Sequence, residues 1–96
     1  MLILVTYDVS LTDSGGQKRL RHVARICHKY GVRVQNSVFE CVVDEPQFVL
    51  LRERLKKEIA AEQDSLRFYR IGNNYKNKIE HYGVKREISV DEPLIF

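Results

Sequence analysis

An α+β sandwich, one antiparallel sheet with two helices on a single face, is the fold class the sequence predicts. Two observations lead there. Segments with an apolar period of two alternate with segments of period 3.6, and they follow the order βαββαβ. A third bears on assembly: 96 residues make one domain, 1–96, near the size at which a single core is only moderately secure, so a second copy would add burial.

The first strand is read from LILVTYDVS, Leu2 to Ser10. One of its faces carries Leu2, Leu4, Thr6 and Asp8, the other Ile3, Val5 and Tyr7. After LTDSGG, with Asp13 or Ser14 as the expected N-cap, a helix runs from about Gln17 to Tyr30 and stops at Gly31. Leu20, Val23, Ala24, Cys27 and Tyr30 form its apolar stripe. VRVQNSVFECVV reads as two short strands joined at Asn36 and Ser37. Asp44 caps the second helix, with Gln47 completing a capping box and Pro46 in the first turn; Phe48, Leu51, Leu55 and Ile59 make its stripe. The last core strand is LRFYRI, Leu66 to Ile71, ended by Gly72, Asn73 and Asn74. Right-handed crossovers then put both helices on one side of a ferredoxin-like βαββαβ sandwich.

The other side of the sheet is where function is expected. A sheet with one wet face alternates apolar and polar residues, whereas the first strand is greasy on both faces, which calls for a cover, most simply a second subunit. The ending Pro93, Leu94, Ile95, Phe96 reads as an additional short C-terminal strand within a 72–96 tail, added to a sheet edge, its own or a dimer partner's.

The charge of +3 permits a polyanionic partner. Lys18, Arg21, Arg25 and Lys29 recur along one side of the first helix, flanked by Arg19 and His22, a spacing that lets a helix follow a duplex backbone without reading bases. Tail cations Lys76, Lys78, Lys85 and Arg86 surround Tyr75 and Tyr82 and suit either nucleic acid or a protein partner. Cys27 and Cys41 lack CxxC spacing and read as reduced core residues, which fits a cytoplasmic protein. No apolar run approaches the length of a membrane span, and His22, His28 and His81 lack zinc spacing. Gly15 and Gly16 are turn residues, since a phosphate-binding GxGxxG is absent.

LVTYD, KRLRHVAR from Lys18 to Arg25, RVQNSVFE from Arg33 to Glu40 and GNNY from Gly72 to Tyr75 together resemble the CRISPR-associated protein 2 family over essentially the whole chain. The resemblance implies a homodimer whose sheets face each other, with the C-terminal strand joining the partner's sheet. It further implies capture of foreign DNA with the CRISPR integrase, and metal-dependent cleavage of RNA or double-stranded DNA. Asp8 would be the metal ligand, with Arg33, Ser37 and Phe39 around it. The residues give Asp8 an independent interest: facing sheets about a two-fold axis bring two copies of it together, and like charges so placed take up a proton or a bridging cation. Oxygen-only ligation favours Mg²⁺ or Mn²⁺. Glu40 and Asp44 are the remaining carboxylates considered for such a site, without support from the motif. Two other readings stand beside this one: a non-catalytic DNA-binding scaffold, and an RNA-recognition module, for which VFECVV supplies only Phe39 as a stacking aromatic.

Overall fold

A computed structural model describes residues 1–10 and 14–84. Its elements are β1 (Leu2–Asp8), α1 (Gly16–His28), β2 (Gly31–Gln35), β3 (Val38–Val42), α2 (Glu45–Glu58) and β4 (Ser65–Gly72), followed by a short 3₁₀ turn, Lys76–Lys78. The strands form one antiparallel sheet in the order β2-β3-β1-β4, so the strand that ends in Asp8 is central, flanked by β3 and β4. This is the expected sandwich. The expected tail strand, with Leu94, Ile95 and Phe96, lies outside the described residues.

Burial explains why alternate residues of β1 take different roles. Ile3, Val5 and Tyr7 pack with Phe39 and Cys41 of β3 under Leu20, Val23, Ala24 and Cys27 of α1 and Phe48, Leu51 and Leu55 of α2. The opposite parity faces away from the helices. There Leu4, Thr6 and Val38 are half-buried, Asp8 is exposed, and Val32 and Val42 are 57% and 52% exposed. Leu2, on the same parity of β1, is only 3% exposed, so the open apolar surface of this face lies on β2 and β3 rather than on the first strand from which the sequence argued for a cover.

The second helix begins as the sequence predicts. Gln47 N–H donates to Asp44 Oδ1 (2.8 Å), Asp44 N–H donates to Gln47 Oε1 (3.0 Å), and Pro46 occupies the first turn, where a missing N–H costs nothing. Ile59 falls just past its end, in extended backbone.

The first helix differs at both ends. Gly15 is its N-cap, with no side-chain cap, in place of Ser14; Asp13 lies outside the described residues. Its last residue is His28 rather than Tyr30, because the Tyr30 carbonyl accepts the Val42 N–H (2.9 Å) and is drawn into the sheet. Gly31 then opens β2 against β3, where an added Cβ would sit 1.8 Å from the Glu40 carbonyl oxygen. No larger residue fits that approach.

Both cysteines are buried free thiols, with Cys41 Sγ 3.8 Å from the Cys27 carbonyl oxygen. The neighbouring Cys41 and burial push the Cys27 thiol far above its ordinary value, so it is no nucleophile. Among the described residues no helix is long and apolar enough to cross a membrane.

Candidate active site and nucleic-acid surface

Asp8 closes β1 opposite Ser65 of β4, on the open side of the sheet. It is exposed, and among the described residues no ion pair or hydrogen bond engages its carboxylate. A charge so placed is fully solvated and open to a cation or to phosphate-bound water. Among the described residues of one subunit it has no carboxylate partner. Glu40 shares its face but pairs with Leu4, four residues back along β1, roughly 13 Å at a strand's rise. Asp44 is committed to capping α2. Among the described residues no three His, Cys, Asp or Glu side chains gather as a metal-holding group. The donor set therefore fits a hard cation only where a second Asp8, water and phosphate oxygens complete it.

Beneath Asp8, on the helix side, is a charged cluster that sequence reading missed. The Asp64 side chain, which has no exposed surface, accepts from the Tyr7 hydroxyl, from Arg19 Nε (2.8 Å) and Nη2 (3.0 Å), and from the Ala60 N–H (2.9 Å). The Arg19 guanidinium first, with the Tyr7 and Ala60 donors helping against burial, holds the Asp64 carboxyl down at about 2. Burial and the Asp64 hydrogen bond push the Tyr7 phenol far up, so it stays a donor. Tyr7 N–H in turn donates to the Ser37 carbonyl (2.9 Å). The only sequence signal was a tyrosine at an otherwise apolar core position of β1, which needs a partner for its hydroxyl.

The expected site residues are thus distributed over two faces. Ser37 sits half-buried in the β2–β3 turn beside the end of β1. Phe39, expected to pack against a nucleotide or a partner subunit, is a core residue, 1% exposed, because its parity on β3 points it toward the helices. The same parity removes it as a stacking platform for RNA. Arg33 is 7% exposed rather than displayed to phosphate: its Nε donates to the Asn36 carbonyl (2.8 Å), Nη2 to Asn36 Oδ1 (3.1 Å), and the guanidinium lies 5.8 Å from the Phe39 ring centre. It shapes the turn that carries Ser37. Arg19 likewise leaves the basic surface for Asp64.

Lys18, Arg21, Arg25 and Lys29 are exposed along α1 and its C-cap, spanning about 16 Å at a helical rise. On the open face Arg67 pairs with Thr6, two residues from Asp8 on the same side, and lies 5.6 Å from the ring centre of Tyr69. Alternation in LRFYRI carries that signal: Leu66 and Phe68 pack on the core while Arg67 and Tyr69 are exposed. His22 Nδ1 lies 3.4 Å from Glu58 Oε2, and His81 pairs with the Gly83 carbonyl (3.1 Å); among the described residues neither belongs to a metal cluster.

Residues 1–79 match the family model described as CRISPR associated protein Cas2. The chain is 57% identical over 96 residues, covering 100% of both chains, to the CRISPR-associated endonuclease Cas2 of Halalkalibacterium halodurans. It is 54% identical over 95 residues, 99% of this chain and 93% of the other, to the CRISPR-associated endoribonuclease Cas2 of Nitratidesulfovibrio vulgaris. Among solved structures, Streptococcus pyogenes Cas2 at pH 6.5 superposes with a TM-score of 0.78 at 51% identity, covering 86% of this chain and 100% of that one.

Proposed function

This chain belongs to the CRISPR-associated Cas2 family, and on that premise we propose that it is a homodimeric, divalent-metal-dependent endonuclease on double-stranded DNA or RNA, working with the CRISPR integrase in spacer acquisition. The observation that carries the reading is Asp8, exposed and without a partner among the described residues, at the rim of a sheet face with open apolar surface. Two subunits joined through that face bury Val32 and Val42 and bring the two Asp8 carboxylates toward one axis. Relatives named endonuclease and endoribonuclease support the activity class.

Asp8 from each subunit would hold Mg²⁺ or Mn²⁺. When bound, such an ion polarises a phosphodiester and makes a nucleophile of its water. The remaining work falls to this chain's own groups. Lys18, Arg21 and Arg25 grip phosphates along the backbone, and Arg67 places a fixed positive charge on Asp8's face. One observation favours a second reading, the DNA-binding scaffold: a two-metal hydrolase draws on several carboxylates, and the described residues of each subunit offer one at this site.

Purified protein incubated with duplex DNA and with RNA, in Mg²⁺, Mn²⁺ or chelator, separates the two. The enzyme reading expects cleavage that needs metal and is lost in Asp8→Asn. Cleavage undiminished in Asp8→Asn overturns it, and binding without cleavage leaves the scaffold. Dimerisation is tested by Val42→Lys, which is expected to shift the protein toward monomer in sedimentation analysis.

A further inference from the structure

Four segments meet at the end of β1. Tyr7 lies one residue before Asp8, and Arg19 lies in the first turns of α1, its N–H bonded to the Gly15 carbonyl (3.0 Å). Ala60 to Asp64 is the turn between α2 and β4, closed by N–H donation from Gln63 (2.9 Å) and Asp64 (2.8 Å) to the Ala60 carbonyl. The fourth is the β2–β3 turn, whose Ser37 carbonyl receives the Tyr7 N–H. The Asp64 carboxylate bonds three of these directly and the fourth through Tyr7. Its partners Tyr7 and Arg19 bracket the connection from β1 to α1, so one buried group holds both ends of that connection.

We propose that Asp64 is a positioning residue for Asp8: by holding Tyr7 and Arg19 it fixes where β1 ends, and so where the Asp8 carboxylate stands relative to Lys18 and the basic side of α1. The inference rests on the reading of Asp8 as the metal-binding residue. A strand end pinned on its core side delivers the exposed side chain to one place, and such placement is worth more to turnover than to binding, since the reacting geometry tolerates little displacement. Duplex affinity depends on exposed cations further along α1 and is left nearly intact.

The test compares Asp64→Asn with wild type and with Asp8→Asn in the full-length protein. It measures steady-state cleavage of a duplex oligonucleotide and of an RNA, with site-resolved amide hydrogen exchange. Asp64→Asn is expected to lower kcat roughly tenfold or more with KM within about twofold. Exchange should quicken about tenfold more at the Tyr7 and Arg19 amides than at Val43, whose N–H bonds to the Met1 carbonyl at the far end of the sheet. An unchanged kcat, or exchange quickened equally at Val43, overturns the proposal; the second result marks Asp64 as a general stabiliser. Wild-type-like cleavage in Asp8→Asn defeats the reading of Asp8 instead, whatever Asp64 does. If wild type cleaves neither substrate, exchange alone decides. Should Asp64→Asn be too unstable to assay, Tyr7→Phe keeps the ring and removes one donor: kcat about threefold lower supports the proposal and an unchanged kcat overturns it.

Discussion

Two aspartates stand at the same end of the sheet, one on each side of it. Asp8 is in water with no partner among the described residues, while Asp64 is sealed beneath it and accepts four hydrogen bonds. The fold leaves the first uncompensated and spends a tyrosine, an arginine and a backbone amide on the second. A buried carboxylate without such donors would be protonated or would unfold its surroundings; an exposed one needs none of them. What distinguishes a candidate functional acid here is therefore the absence of a structural duty among the described residues.

The sharpest way to break that contrast is to neutralise each acid in turn. Asp8→Asn is expected to cut cleavage by on the order of 100-fold or more, while the unfolding midpoint moves by no more than about 2 °C, because no described residue of the subunit pairs with that charge. A midpoint that falls with activity would make Asp8 structural. In a homodimer, relief of the repulsion between two Asp8 carboxylates makes any shift in midpoint upward rather than downward.

Asp64→Asn is expected to do the reverse to stability, costing about 2 to 4 kcal/mol at pH 7 by leaving the half-buried Arg19 without its anion. The pH dependence has a definite sign. The folded Asp64 carboxyl, at about 2, lies below its unfolded value of 3.8, so its stabilisation is present above about pH 4 and is lost as pH falls toward 2. The gap between wild type and Asp64→Asn in urea denaturation should be constant from pH 5 to 7, narrow below pH 4 and nearly close at pH 2. A gap independent of pH would mean that shape, not charge, is what Asp64 contributes.

Much of this was legible beforehand, and the pattern of what was not is informative. Local chemistry announces itself in sequence: the Asp44 and Gln47 capping box, the two apolar periods and the exposed end of β1 all depend on residues within a few positions of each other. The Tyr7 to Asp64 contact joins residues 57 apart, and nothing near Asp64 marks it as buried. Arg33 and Phe39 were expected around Asp8 from a family pattern that carries no information about which side of a strand a residue faces. Alternation along β3 settles that for Phe39, since Val38 and Glu40 share the parity of Thr6 and Leu4 and Phe39 does not.

The same separation of exposed from buried charge divides the first helix, and there the expected effect is smallest and most specific. Lys18, Arg19 and Arg21 are near neighbours in sequence, yet Arg19 turns inward to Asp64 while the other two face solvent. Counterion release makes the slope of log affinity against log salt a count of phosphates contacted, about 0.9 for each on duplex DNA. Replacing Lys18 and Arg21 with Gln is expected to weaken duplex binding and shallow that slope by about 1.8 per helix engaged, with little change in stability. Arg19→Gln should lower stability and leave the slope within about 0.3 of wild type. A slope reduced as much by Arg19→Gln as by Lys18→Gln would place Arg19 on the duplex after all, and would mean that its bond to Asp64 opens when nucleic acid binds. A slope untouched by the double substitution would move the nucleic-acid surface off α1 altogether, leaving Arg67 and Tyr69 on the open face as the next cationic and stacking groups to replace.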